Sequence, residues 1–119
     1  MIHSYPKYLR VRKRRHYQRI AQQAKRHVGQ LVIIEARSTK NSYSRLGITA
    51  SRHYGKAIQR NRFKRIVREA FRLCRGQLLP GLDLNIKPRQ AAQKAKTTDV
   101  IAEMIHFLGC SPIPEKGCD

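Results

Sequence analysis

The segment from residue 57 to residue 75 constrains the fold more than any other part of this chain. Its sequence, AIQRNRFKRIVREAFRLCR, carries apolar residues at intervals of three and four over about five helical turns. At ~100° per residue, a single stripe collects the side chains of Phe63, Ile66, Val67, Ala70, Phe71 and Cys74. Such a helix is stable when its stripe packs against other elements. The pattern therefore predicts a helix over residues 57–75 that lies on a hydrophobic core.

The opposite face of this predicted helix is strongly basic. Five cations and one amide share that face, namely Asn61, Lys64, Arg65, Arg68, Arg72 and Arg75. The one acid of the segment, Glu69, lies four residues after Arg65 and can pair with one arginine at most. A solvated surface usually mixes acids among its cations, because like charges at this spacing repel each other. The face is therefore either simply exposed to solvent or a surface that binds phosphates.

The distribution of charge favours the phosphate-binding interpretation. The chain of 119 residues has 26 Lys and Arg against 7 Asp and Glu, a formal net charge of +19. Residues 1–28 hold nine Lys or Arg and no acid, and residues 45–75 hold ten against a single acid, whereas the two signs balance over residues 76–119. Two blocks thus carry nearly all of the excess charge. This pattern predicts a polyanionic partner, and nucleic acid is the usual one.

Shorter patterns complete a predicted α+β domain with a single sheet and helices packed on it. Two further helices are predicted over residues 9–25 and 98–108, and three strands over residues 30–37, 45–51 and 82–87. The predicted order is α-β-β-α-β-α, in which the first two strands form a hairpin. One nucleic-acid-binding domain is expected over residues 9–109, between a flexible basic N-terminus (1–8) and a flexible tail (110–119).

A catalytic site within this chain is not expected. Acid–base catalysis needs positioned carboxylates or histidines, but the acids are sparse and the five histidines have no metal-binding spacing. His16 and His27 lie in the first basic block and are expected to add charge if bound RNA raises their pKa.

The cysteines and the short apolar runs indicate the cellular compartment of the protein. The thiols of Cys74, Cys110 and Cys118 are expected to be free, with a Cys110–Cys118 disulfide as the alternative. The longest apolar run, residues 31–34, is far too short to cross a bilayer. No membrane partner and a cytoplasmic location are therefore expected.

The central helix also resembles a known family. Residues 55–69, GKAIQRNRFKRIVRE, are similar to the signature of the bacterial ribonuclease P protein subunit, in which a glycine and a short spacer precede an Arg-Asn-Arg run and further Lys and Arg. Residues 45–52, RLGITASR, resemble the strand before that signature, and residues 13–20, KRRHYQRI, resemble the basic first helix of the family with its aromatic residue. The similarity covers roughly residues 9–108.

The resemblance implies a fold and a function. The family fold is α+β with a left-handed βαβ crossover through the Arg-Asn-Arg helix, where general rules favour a right-handed one. The family protein is the cofactor of ribonuclease P, a ribonucleoprotein endonuclease that hydrolyses the 5′ leader from precursor tRNA. The resemblance places catalysis in the RNA subunit, with Mg²⁺ held mainly by that RNA, and implies no organic cofactor and no obligatory protein partner. A non-catalytic, rRNA-binding protein of ribosomal type is the alternative function. The Arg-Asn-Arg signature with its preceding strand distinguishes the two, because ribosomal proteins do not carry it.

The resemblance also assigns site residues. The contacts to the catalytic RNA are expected at Lys56, Arg60, Asn61, Arg62, Lys64, Arg65, Arg68 and Arg72. The cleft for the precursor leader is expected at Arg10, Lys13, Arg14 and Tyr17, with a plain core aromatic as the alternative for Tyr17. Family members often carry a second aromatic one turn later, where this chain has Ala21. The candidates to compensate for it are Tyr8, Tyr43 or Tyr54.

Overall fold

Three helices and four strands make up the part of the chain that the computed structural model describes, residues 9–11 and 13–109. The helices are α1 (Arg14–Gln23), α2 (Ala57–Cys74) and α3 (Thr97–Leu108). The strands are β1 (Lys25–Val28), β2 (Val32–Ser38), β3 (Arg45–Ile48) and β4 (Leu82–Pro88). Short 3₁₀ turns follow α2 at Arg75–Gln77 and β4 at Gln90–Lys94. The predictions for residues 1–8 and 110–119, including Tyr8, Cys110 and Cys118, lie outside the described residues.

The strands form one sheet in the order β1-β2-β4-β3. β1 and β2 are antiparallel, β2 and β4 are antiparallel, and β3 and β4 are parallel. The predicted hairpin between β2 and β3 is wrong, because β4 lies between them. The five residues Leu82–Ile86 are all buried, which suits an interior strand. Residues 39–44 are long enough to cross the two strand spacings, about 10 Å, that separate β2 from β3.

The beginning of the chain differs from the predicted single helix over residues 9–25. Val11 N–H donates a hydrogen bond to the carbonyl of Leu46 at 2.9 Å, so this segment runs beside β3 before α1 begins at Arg14. Leu9 and Val11 are buried there. At the other end α1 stops at Gln23, and Lys25–Val28 pairs with β2 as an edge strand. The sequence pattern missed β1 because its residues are charged and pair on one side only.

The core confirms the predicted stripe of the central helix. All six stripe residues of α2 are buried, and the helix begins and ends within one residue of the prediction. Phe63 and Phe71 of α2 and Met104 of α3 pack with Leu84 and Ile86 of β4, and each of these side chains is at most 1% exposed. α2 and α3 therefore cover one face of the sheet, and the basic side of α2 points away from it.

The connection through α2 is the feature that positions this basic side. β3, α2 and β4 form a βαβ unit whose two strands are parallel neighbours, as the resemblance implies, while the left hand of the crossover stays a prediction.

Cys74 is a free, buried thiol at the end of α2, and burial raises its pKa to about 11. No helix among the described residues has the length and apolarity needed to cross a membrane.

Candidate nucleic-acid interface

The basic ridge is defined here as Asn61, Lys64, Arg65, Arg68 and Arg72 on α2, together with Arg75 just after it. Asn61, Arg65 and Arg68 are exposed, and the other three side chains are half-buried. Because the opposite stripe of α2 is buried in the core, the helix cannot turn this row of cations away from solvent. Lys56, which precedes the helix, is also exposed and lies at the ridge's N-terminal end.

Glu69 neutralises only one end of the ridge. Its carboxylate accepts a hydrogen bond from the Arg72 guanidinium, three residues later, and both side chains remain partly exposed. The acid thus pairs with Arg72 and not with Arg65. Within the described residues, no acidic side chain forms an ion pair with Arg65 or Arg68. These two arginines are the cations of the ridge best placed to meet phosphate.

The two arginines of the Arg-Asn-Arg run are less free than the sequence suggests. Arg62 donates hydrogen bonds to the carbonyls of Gln93 and Ala95, at 3.1 and 2.7 Å, and so anchors the segment that follows β4 to α2. Arg60 is half-buried, and its Nε is buried without a hydrogen-bond partner among the described residues. Asn61 between them is exposed. Arg62 therefore has a structural role in addition to any contact with RNA.

The second predicted surface lies between α1 and the face of the sheet that α2 and α3 do not cover. The Tyr17 ring lies against the backbone of β3, so close that a Cβ atom on Gly47 would stand 2.6 Å from its Cε1. Burial raises the pKa of Tyr17, against a backbone hydrogen bond at Ile48 and the nearby charge of Arg68. Tyr17 is half-buried and near the ridge. It is therefore neither a core aromatic nor a fully exposed one.

The remaining residues of the predicted cleft lie on the elements next to this ring. Lys13 and Arg14 are exposed at the start of α1, and Arg10 is exposed where it bridges to Leu46 of β3. Tyr54 does not supply a second aromatic to this surface, because it is 5% exposed and its ring packs 5.7 Å from that of Phe63 in the core. Tyr43 lies in the β2–β3 connection and lines a separate hollow at the end of α2.

This sheet face carries a polar network that the sequence patterns did not predict. Asp83 is 2% exposed and accepts two hydrogen bonds from the Arg45 guanidinium, at 2.8 and 2.7 Å, with Arg37 at 3.5 Å. The Arg45 pair forms the fork-to-fork contact of a guanidinium with a carboxylate. Asp83 holds the pKa of Arg45 above its ordinary value. The pattern that could have revealed the network is β4 itself, where Asp83, Asn85 and Lys87 alternate with apolar residues.

The same face carries a second buried acid. Glu35 lies opposite Asn85 in the sheet, accepts a hydrogen bond from Lys87 Nζ at 3.3 Å, and is 3.4 Å from the Asn85 amide nitrogen. Thr49 donates to the Asn85 amide oxygen at 3.0 Å. The network therefore runs across three strands, and it gives the floor of the cleft a fixed set of polar groups under α1.

Burial lowers the pKa of both histidines that were predicted to respond to RNA, which favours their neutral form in the free protein. Burial is the main cause that lowers the pKa of His16, and the charges of Arg45 and Arg15 lower it further. Burial and then Lys25 lower the pKa of His27, whose ring lies 5.2 Å from that of Phe107. A bound polyanion acts in the opposite direction, so protonation of His16 and His27 on binding stays a prediction. Over residues 9–11 and 13–109, no group of three or more His, Cys, Asp or Glu is arranged to hold a metal ion.

Sequence comparisons find one protein family and several relatives that match most of this chain. The ribonuclease P family model matches residues 5–111. The ribonuclease P protein component of Syntrophus aciditrophicus is 35% identical over 103 residues, which cover 87% of this chain and 87% of that protein. The counterpart from Desulfatibacillum aliphaticivorans is 33% identical over 105 residues, which cover 88% and 89%.

Solved structures of two RNase P proteins share the fold of this chain. The RNase P protein from Thermotoga maritima superposes with a TM-score of 0.75 at 32% identity, over 83% of this chain and 94% of that one. The Staphylococcus aureus RNase P protein superposes with a TM-score of 0.71 at 26% identity, over 84% and 91%.

Proposed function

Since the chain belongs to the ribonuclease P protein family, we propose that it is the protein cofactor of a ribonucleoprotein that removes the 5′ leader from precursor tRNA. One observation carries the proposal: Arg65 and Arg68 extend from a rigid helix with no acidic partner among the described residues. In this role the basic ridge binds phosphates of the catalytic RNA, and the cations offset the repulsion between RNA strands. The surface around Tyr17 receives the leader of the substrate.

Catalysis is assigned to the RNA, with Mg²⁺ held mainly by RNA phosphates. The acids of the described residues support this assignment, because each already has a partner. Asp83, Glu35 and Glu69 are paired with cations, as described above. Glu103 accepts hydrogen bonds from the backbone N–H groups of Leu31 and Val32, and Asp99 accepts one from the N–H of Lys96 at the start of α3. No pair of free carboxylates is left among them for acid–base work. A cytoplasmic location belongs to the same proposal.

A reconstitution tests the function directly. The protein is mixed with a bacterial-type ribonuclease P RNA and labelled precursor tRNA at low Mg²⁺, beside protein-alone and RNA-alone controls. Cleavage at the 5′ end of the mature tRNA is expected only in the mixture. If the mixture only matches the RNA alone while the protein still binds that RNA tightly, an rRNA-binding role of ribosomal type becomes the better account. Cleavage by the protein alone would place an active site in this chain.

The salt dependence of RNA binding tests the ridge. Arg65→Ala and Arg68→Ala are each expected to weaken binding of the catalytic RNA and to reduce the slope of log affinity against log salt by roughly 0.7–0.9, because each removes about one phosphate contact. Lys40→Ala is the control, since Lys40 is exposed in the connection between β2 and β3 and lies outside both basic blocks. Binding isotherms at salt concentrations from about 50 to 200 mM measure the slope, because the affinity of phosphate contacts falls steeply over that range. An unchanged slope for both ridge variants would count against the ridge as the RNA contact.

A further inference from the structure

Two side chains, Arg62 of α2 and Gln93 of the 3₁₀ turn after β4, join three separate parts of the chain. The Arg62 guanidinium donates through its two terminal nitrogens to the carbonyls of Gln93 and Ala95, at 3.1 and 2.7 Å. The Gln93 side-chain amide in turn donates to the carbonyl of Tyr54 at 2.7 Å, in the connection between β3 and α2. These two side chains are called the Arg62–Gln93 latch below, and no step of the proposed function uses them.

The loop that the latch holds, residues 51–56, carries cations at the N-terminal end of the basic ridge. Arg52 and Lys56 are both exposed. No acidic side chain of the described residues forms an ion pair with either of them. A polyanion that follows the basic ridge toward the start of α2 therefore meets these two cations next.

The loop is held in place by the core, by α2 and by the latch. The ring of Tyr54 is 5% exposed and packs 5.7 Å from that of Phe63. Lys56 N–H donates to Gln59 Oε1 at 2.7 Å at the start of the helix. The latch adds a hydrogen bond to the loop backbone itself. A loop that already has its bound conformation loses little entropy when its cations meet phosphate.

The direction of the Arg62 side chain separates it from the basic ridge. Lys64 follows the buried Phe63 by one residue and Arg62 precedes it, so at ~100° per residue Lys64 and Arg62 leave α2 about 160° apart. Arg62 is half-buried. Burial raises the pKa of Tyr54 and the charge of Arg62 opposes that rise, which places the guanidinium near the phenol. Arg62 therefore faces the latch and not the ridge.

We propose that Arg62 is a positioning residue, which strengthens RNA binding by preorganising the 51–56 loop through Gln93 and not by contacting a phosphate. In the complex, Arg52 and Lys56 of this loop contact RNA phosphates beyond the N-terminal end of the basic ridge. The inference rests on the proposed function, because it takes the polyanion on the ridge to be RNA. It replaces the direct RNA contact that the family resemblance implies for Arg62.

Binding of a bacterial-type ribonuclease P RNA to Arg62→Ala, Gln93→Ala and the double variant tests the latch. Each single variant is expected to weaken binding by about 2- to 30-fold, the range for substitutions that act on a site without touching its ligand. The slope of log affinity against log salt should stay unchanged, because the loop still reaches the same phosphates after paying a larger ordering entropy. The double variant should match each single variant, since both substitutions open one latch.

Two further variants calibrate these measurements. Asn41→Ala removes an exposed amide from the connection between β2 and β3 and should bind as the wild type does. Lys56→Ala should reduce the salt slope by roughly 0.7–0.9, because it removes a phosphate contact of the loop. If Arg62→Ala reduces the slope by that amount while Gln93→Ala binds as the wild type does, Arg62 contacts a phosphate directly and the proposal is overturned.

Hydrogen exchange of the free protein supplies a readout that general destabilisation would not reproduce. The amide of Tyr54, which donates to the Ser51 carbonyl at 3.1 Å, should exchange faster in both single variants, while the amides of β2 and β4 exchange as in the wild type. Unchanged exchange at Tyr54 would overturn the proposal. If Arg62→Ala does not fold, Gln93→Ala alone decides between the outcomes. If exchange changes as expected but the wild-type protein does not bind the RNA, the proposed function fails and the role of the loop in RNA binding fails with it.

Discussion

Asp83→Asn is expected to lower the free energy of unfolding by about 3 kcal/mol, near the low end of the range for breaking a buried ion pair. Asp83 is 2% exposed and lies between Arg45 and Arg37, whose side chains are 18% and 25% exposed. An amide of the same shape keeps the packing but leaves two partly buried guanidinium groups without a counter-charge. Because both arginines retain some contact with water, we expect the smaller loss. Urea denaturation followed by circular dichroism measures it.

Two further variants separate charge from packing at this site. Glu69→Gln also removes an acid paired with an arginine, but that pair is 42% and 33% exposed, so the loss should be within about 1 kcal/mol. Adding Arg45→Met to Asp83→Asn should recover part of the stability, because it removes an uncompensated charge. If Asp83→Asn costs no more than Glu69→Gln, the network on the sheet face does not stabilise the fold.

The central helix was predictable because its pattern repeats over 18 residues, long enough for the three- and four-residue spacing to identify every buried position. The same pattern placed the cations on the opposite side. It did not reveal which cations already had partners, since the hydrogen bonds of Arg62 go to carbonyls 31 and 33 residues away. Local periodicity carries no information about such distant partners.

The sheet shows the other limit of prediction from the sequence. The apolar alternation of residues 82–87 predicted a strand, and the polar positions of that strand bear the network on the open face. Strand order was out of reach, because parallel pairing of β3 with β4 depends on the path of α2 across the sheet and not on the residues of either strand. β1 was missed because an edge strand needs no apolar alternation. The position of the Tyr17 ring could not be predicted for the same reason, because the ring packs against Gly47 of β3 and the place of β3 in the sheet depends on the strand order.

Gly47→Ala is expected to abolish the preference for leader-bearing precursor over mature tRNA as fully as Tyr17→Ala does. The new Cβ would lie 2.6–2.8 Å from three atoms at the far end of the Tyr17 side chain, so the ring must leave its place on β3. The φ angle of Gly47 is not positive, and the strand accepts alanine, so the fold should persist. If Tyr17 stacks on a leader base, each variant loses about 1–3 kcal/mol of precursor binding, or about 5- to 150-fold. Mature tRNA lacks the leader and should bind equally to all variants.

The double variant Gly47→Ala with Tyr17→Ala gives the sharper result, because two substitutions that act on one ring do not add. We expect the double variant to match each single variant in the ratio of precursor to mature tRNA affinity, measured on the complex with the catalytic RNA. Gly76→Ala is the matched control, since a Cβ there meets nothing within 4 Å, and its ratio should equal the wild type's. Additive losses would mean that Gly47 acts on the leader by another route, such as close approach of RNA to the strand backbone. Equal loss of precursor and mature tRNA in Tyr17→Ala would remove Tyr17 from the leader site altogether.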